Sequence, residues 1–187
     1  MQYIAQRIPD VVLLQPTVLG DERGFFMESF RKTVFQQHCG AYEFVQENYS
    51  RSGQGVLRGL HYQYHQPQGK LVRVTAGEVY DVAVDLRADS STFGQWVGVY
   101  LSAENKNQLW IPPGFAHGFY VLSAHADLHY KCTAYYAPHD EQILRWDDPS
   151  VGIEWPLVTG SPVLSVKDQH QAQPWATCKK YSVALGA

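Results

Sequence analysis

Over most of this chain apolar and polar residues alternate with a period of two, in short runs separated by glycine and proline, which is the pattern of half-buried strands. Val11-Val12-Leu13-Leu14 predicts a first strand, closed by Pro16 and the turn-like Gly20-Asp21-Glu22-Arg23-Gly24. Extended character resumes at Phe25. Ser29 can then cap a helix over 29–38 with Phe30, Val34 and Gln37 on one side, and Gly40 ends it. Residues 43–50 alternate again, Phe44, Gln46 and Asn48 against Val45, Glu47 and Tyr49, which leaves open whether the two amides face a ligand or solvent. Two apolar runs, 71–75 and 79–86, flank Ala76-Gly77-Glu78 and predict a hairpin, with Asp81, Ala83 and Asp85 on one face and Tyr80, Val82 and Val84 on the other.

Further strands are expected over 96–101, 108–111, 118–122 and 126–136, with a turn at Pro112-Pro113-Gly114. In the last run Tyr130 and Tyr136 share a parity, and Tyr135 has the other. From Asp147 onward Pro149, Trp155, Pro156, Pro162, Pro174 and Trp175 predict an ordered loop segment draped on the strands. Many short strands with frequent turns and no repeat or linker describe an all-β, antiparallel double-sheet fold with one or two short helices.

Composition narrows this further. A chain of 187 residues, 45% hydrophobic and 18% charged, fits a single domain over 1–187 with a substantial core. A net charge of -3 excludes broad attraction to nucleic acid or an anionic membrane, so an anionic ligand has to be held by locally placed Arg and Lys. Cys39, Cys132 and Cys178 have neither zinc spacing nor the even number of a disulfide framework, which suits a reducing cytoplasm. No apolar run approaches membrane-spanning length, and the first ten residues carry no signal-peptide pattern, so the protein is expected to stay in the cytoplasm.

Candidate chemistry concentrates in Gly55-Val56-Leu57-Arg58-Gly59-Leu60-His61-Tyr62-Gln63 and Gln68-Gly69-Lys70-Leu71-Val72-Arg73. Arg58 and His61 are three apart, so a regular pleat sends them to opposite faces. Gly59 between them makes a bulge inexpensive, and a bulge there brings both to one side. The spacing from Gly55 to His61, with Pro112-x-Gly114-x-x-His117, matches parts of the metal-binding cupin pattern. Gln63 stands where the second histidine belongs, however, and no glutamate follows at the required distance. Two histidines make a poor transition-metal site, which predicts a cupin-like jelly roll that is metal-free.

Histidine is a natural base for a carbon acid near neutrality, given an orienting carboxylate. Asp168 can orient His61 only if the fold returns it there, and sequence spacing does not show this. Lys70 and Arg58 are suited to stabilise an oxyanion beside such a base. Tyr130 can equally be a core aromatic with its hydroxyl bonded to a neighbour.

Several blocks together resemble the dTDP-4-dehydrorhamnose 3,5-epimerase family along almost the whole chain. They are Asp21-Glu22-Arg23-Gly24-Phe25-Phe26-Met27-Glu28, Phe44-Val45-Gln46-Glu47-Asn48-Tyr49-Ser50, Val56-Leu57-Arg58-Gly59-Leu60-His61, Gln68-Gly69-Lys70-Leu71-Val72-Arg73, Trp110-Ile111-Pro112-Pro113-Gly114-Phe115-Ala116-His117-Gly118-Phe119, Tyr130-Lys131-Cys132-Thr133 with Tyr135-Tyr136, Trp146-Asp147-Asp148-Pro149 and Leu164-Ser165-Val166-Lys167-Asp168. The resemblance implies an epimerase without cofactor, acting on a dTDP-4-keto-6-deoxyhexose at C3 and C5, or in some relatives at one of them. It implies His61 as base, Asp168 as its partner, Tyr130 as opposing acid and Lys70 beside the C4 oxygen. Substrate contacts map onto Arg23, Phe26 and Glu28 at the nucleotide end, and onto Gln46, Asn48, Arg58, His117, Tyr136, Glu141 and Lys167. It further implies a homodimer whose N-terminal segment, with Arg23, Phe26 and Glu28, serves the neighbouring subunit's site. Cys132, Ala134 and Val166 depart from the residues more usual at those places.

Overall fold

The computed structural model describes residues 1–182. Thirteen strands and two short helices make up its regular structure. One sheet holds six strands in the order β1 (Gln2–Ala5), β2 (Val12–Gln15), β10 (Gln108–Ile111), β7 (Lys70–Ala76), β12 (His125–Cys132) and β5 (Gln46–Gly53). The other holds five, β13 (Glu141–Ile143), β6 (Leu57–Gln63), β11 (Phe115–Val121), β8 (Glu78–Asp85) and β9 (Trp96–Ser102). Every pairing within the sheets is antiparallel, and the whole is a double-sheet jelly roll. A separate hairpin, β3 (Val18–Asp21) with β4 (Gly24–Met27), stands apart from both sheets.

Between the sheets lies a core of Val72, Leu109, Ile111 and Leu128 from one side and Val79, Ala83, Phe115 and Val121 from the other. Both outer faces are covered as well. Helix α1 (Lys32–Cys39) and the aromatic residues around it close the back of the six-stranded sheet, where Phe35 meets Trp110 edge-on at 5.0 Å. Behind the five-stranded sheet, Leu60, Tyr62, Tyr80, Val82 and Val84 pack under Leu144, Val151, Cys178 and Tyr181 of the C-terminal segment. That double coverage is why β8 and β11 read as nearly continuous apolar runs: a strand buried on both faces has no polar side to show.

Three expectations need correction. The runs flanking Gly77 do not form a hairpin, because β7 and β8 belong to different sheets and Gly77, at φ 72°, turns the chain from one to the other. A Cβ there would lie 1.9 Å from the His125 carbonyl oxygen. Ser29 caps nothing: α1 starts at Lys32 after Arg31, without a side-chain cap. Its buried residue is Phe35, not the Phe30, Val34 and Gln37 stripe, and Gln37 is exposed, since the aromatic cluster on Trp110 sets the helix rotation. The first strand is Gln2–Ala5, an edge too short and too exposed to mark itself by alternation. Gly40, at φ 99°, does end α1.

The irregularity expected at Gly59 is present. His117 pairs with His61 and Phe119 with Arg58, so two steps along β11 answer three along β6. The extra residue turns Arg58 and His61 to the same inner face. Gly59, at φ 132°, lies so close to β11 that a Cβ would sit 2.6 Å from the Gly118 Cα and 2.9 Å from the His117 carbonyl oxygen. Gly59→Ala is therefore expected to lower stability by at least about 1–3 kcal/mol, checked by urea unfolding, with loss of the Arg58 and His61 alignment. An unchanged unfolding midpoint would contradict the packing described.

Candidate active site

Where the inner faces part, a cavity of about 310 Å³ opens, lined from the six-stranded sheet by Gln46, Asn48, Ser50, Lys70 and Tyr130. The register explains that wall. Asn48 is opposite Tyr130, Gln46 is opposite Cys132, and Cys132 is opposite Lys70, and residues paired across a ladder share a face. Gln46 and Asn48 thus look inward, with the Gln46 amide donating to Asn48 Oδ1 at 2.9 Å. Arg58, His61, His117, Phe119 and Glu141 line the opposing wall. His61 and Tyr130 therefore come from different sheets and line one cavity.

His61 is held from behind. Its Nε2 is 2.6 Å from Asp168 Oδ1, with the Asp168 side chain 2% exposed and the imidazole 28% exposed. Asp168 sits on α2 (Val166–His170), whose N-cap Ser165 accepts from the Asp168 backbone N–H and donates its hydroxyl to Asp168 Oδ2 at 2.9 Å. Burial opposes ionisation of Asp168, but the bonds from His61 and Ser165 and the charges of His61 and Arg58 outweigh it and hold the carboxyl below its usual range. A carboxylate only accepts, so in the neutral imidazole the proton is on Nε2 and Nδ1 is left as the ring's acceptor.

Lys70 is 9% exposed, and among the described residues its ammonium makes one long bond, 3.5 Å to the His61 carbonyl oxygen. Burial pushes its pKa down, while Cys132 and Asp81 work in the other direction. Tyr130 makes no hydrogen bond to a described residue, so the core-aromatic reading with a bonded hydroxyl does not hold. Burial and Cys132 raise its pKa, partly offset by Arg58, so at neutral pH it is a phenol with a proton to give. Arg58 donates to Ser52 Oγ at 2.9 Å.

A family model described as dTDP-4-dehydrorhamnose 3,5-epimerase matches residues 5–174. The chain belongs to the dTDP-4-dehydrorhamnose 3,5-epimerase family. It is an isomerase. The chain is 60% identical over 163 residues to the Pseudomonas aeruginosa dTDP-4-dehydrorhamnose 3,5-epimerase, covering 87% of this chain and 90% of that one. Among solved structures, it is similar to the dTDP-6-deoxy-D-glucose-3,5-epimerase of Legionella pneumophila in complex with dTDP-4-keto-L-rhamnose, with TM-score 0.88, 56% identity and 91% of each chain covered. It is also similar to ChmJ, a 3'-monoepimerase of Streptomyces bikiniensis in complex with dTDP-quinovose, with TM-score 0.82, 33% identity, and 90% and 85% of the two chains covered.

Of the residues expected at the epimerase site, His61, Asp168, Tyr130, Lys70, Gln46, Asn48, Arg58, His117, Tyr136 and Glu141 come together. Tyr136 does so from the loop after β12, its N–H donating to Gln46 Oε1 at 2.8 Å, and not through strand alternation, which stops at Cys132. Its hydroxyl donates to Glu141, which also accepts from Lys167. Arg23, Phe26 and Glu28 lie outside this cavity: Arg23 pairs with Asp21, Glu28 with Arg31, and Phe26 is 70% exposed on the hairpin. Gln63 binds backbone groups of Gln66, Tyr135 and Ala137 instead of facing the site. Among the described residues, no three His, Cys, Asp or Glu side chains gather in a metal-binding group.

Sequence reasoning passed over Ser50, which lines the cavity, Ser165, which bonds Asp168, and Asp81, which bonds His117. Asp81 left a signal, being a charge in the middle of an apolar strand. The Asp168 bonds give a linkage with a definite sign: its folded pKa is depressed, so their contribution is present above the unfolded value of about 3.9 and is lost as pH falls through the folded one. Asp168→Asn is expected to cost about 1.5–3 kcal/mol at pH 7. The gap from the parent protein should close as unfolding is measured progressively below about pH 4; a gap independent of pH would exclude the ionised bond.

Proposed function

We propose that this epimerase inverts C3 and C5 of dTDP-4-dehydro-6-deoxy-D-glucose through enolates, giving dTDP-4-dehydro-L-rhamnose. The observation that carries the assignment of roles is the placement of His61 and Tyr130 on opposite walls of one cavity, with a buried ammonium beside them. A C4 ketone acidifies the protons on C3 and C5. His61 Nδ1 takes one of them, and the electron pair moves onto the C4 oxygen as an enolate. Lys70, short of partners, is suited to receive that charge in a low-dielectric site. Tyr130 then returns its hydroxyl proton to carbon from the other face, and the centre inverts. His61 now holds a proton and Tyr130 is a phenolate, so exchange with solvent resets both before the next centre. Both proton transfers at carbon use groups of this chain, and solvent supplies only the reset.

Arg58, with Gln46 and Asn48, suits the diphosphate and sugar, because a guanidinium fork makes paired bonds to phosphate oxygens. The hairpin β3–β4 presents Leu19, Phe25 and Phe26 at 60–70% exposure, more apolar surface than a free hairpin tip needs. It reaches a second copy of this chain, where Arg23, Phe26 and Glu28 hold the nucleotide end. One domain and a homodimer in the cytoplasm complete the reading; among the described residues no helix is long and apolar enough to cross a membrane.

In deuterated water, product labelled at both C3 and C5 is expected, whereas label at one carbon would make this a single-centre enzyme. His61→Ala should slow exchange by about 10²–10⁴, and exchange that survives undiminished would remove it as the base. Tyr130→Phe should leave wash-in of deuterium but suppress inversion. Sedimentation equilibrium should return twice the 21.2 kDa chain mass, and a single-chain mass would refute the shared site.

A further inference from the structure

Asp81 lies in the middle of β8, 0% exposed, between Tyr80 and Val82, with no Lys or Arg bonded to it among the described residues. A carboxylate in that position costs several kcal/mol unless something specific holds it. Its hydrogen-bond partner is His117, whose Nε2 is 3.0 Å from both carboxylate oxygens. His117 is the cavity-lining residue directly opposite His61 in the β6–β11 register. The two imidazoles are thus neighbours on one wall, each backed through Nε2 by its own buried carboxylate, Asp168 for one and Asp81 for the other.

We propose that Asp81 is a positioning residue for the epimerisation: it fixes His117 in the tautomer with the proton on Nε2, so that Nδ1 is presented as a hydrogen-bond acceptor for a hydroxyl of the sugar. The charge pattern supports a neutral acceptor. Burial drives the His117 pKa down and Asp81 opposes it, while Lys70 adds to the depression, since a second cation beside its ammonium is unfavourable. A neutral ring has one donor and one acceptor nitrogen, and the carboxylate decides which is which. Without Asp81 the ring is free to take the other tautomer, turning an acceptor into a donor that competes for the C4 oxygen with Lys70. The role in the sugar pocket rests on the function proposed above; the tautomer does not.

The test has two arms. Nitrogen-15 imidazole spectra of the unliganded wild-type protein should show His117 protonated on Nε2 and bare on Nδ1, and the opposite tautomer would overturn the proposal whatever the enzyme does. In the second arm Asp81→Asn, confirmed folded by circular dichroism, should lower kcat/KM by about tenfold or more and give mixed His117 tautomers. Because Asp81 acts through His117, adding Asp81→Asn to His117→Ala should cost nothing further. Additive losses, or activity within about twofold of wild type in Asp81→Asn, would show that the carboxylate only fills the core. If the wild-type protein itself turns over no dTDP-ketosugar, the functional reading has failed, and the imidazole spectra still decide the tautomer.

Discussion

The site depends on a contact between two backbones. Gly59 and Gly118 lie against one another so closely that neither position has room for a Cβ, which would come within 2.6 Å and 2.7 Å of atoms on the facing strand. That approach accommodates the extra residue in β6, and the extra residue is what gives Arg58 and His61 a common face. On a regular strand one of them would point into the apolar layer behind the sheet, among Leu60, Tyr62 and Val82. A guanidinium and an imidazole three residues apart can line one small cavity only because the pleat is broken between them.

A second constraint follows from how the sheets are covered. The C-terminal segment carries few regular elements, yet it is tied down through buried side chains: Tyr62 donates to the Lys179 carbonyl at 2.8 Å, and Asp148 accepts from the Trp175 N–H at 2.7 Å. This anchoring carries Asp168 across 107 positions of sequence to His61. The segment that seals the back of the five-stranded sheet is therefore the one that holds the His61 imidazole, so protection of the core and placement of that ring cannot be separated. Lys167, one residue earlier, reaches Glu141 and through it Tyr136 at the cavity mouth, which connects the same helix to the open side of the site.

How much of this could be read from the chain differs by element. Strands and the Gly59 irregularity were legible because alternation and a glycine between two charges are local signals. The role of Gly77 was not: two apolar runs around a turn look alike whether the chain folds back within one sheet or crosses to another, and only the doubly buried character of β8 separates them. The helix was placed too early because Ser29 has the chemistry of a cap, while the burial of Phe35 against Trp110 fixes where α1 turns inward. Gln46 and Asn48 could not be assigned a face from alternation, since their orientation is set by the register with Cys132 and Tyr130, residues more than 80 positions away. The pairing of His61 with Asp168 was available through resemblance and not through spacing.

The distribution of polarity inside the jelly roll makes the same point from the energetic side. The space between the two sheets holds Val79, Ala83, Leu109 and Val121 and, directly beside them, Lys70, His61, His117 and Asp81, with His117 paired to Ala83 and Asp81 between Val79 and Ala83 along β8. Charges beside an apolar layer interact more strongly than they would in water, which makes each unpaired group expensive and each well-placed group effective. The two carboxylates are fully engaged with imidazoles, so they contribute order more than reactivity. Among the described residues, Lys70 and Tyr130 keep bonding capacity facing the cavity, together with the Ser50 hydroxyl. An interior that satisfies its acids and leaves a cation and a phenol under-bonded has the complementarity that the proposed enolate chemistry requires: a positive charge for oxygen and a proton for carbon.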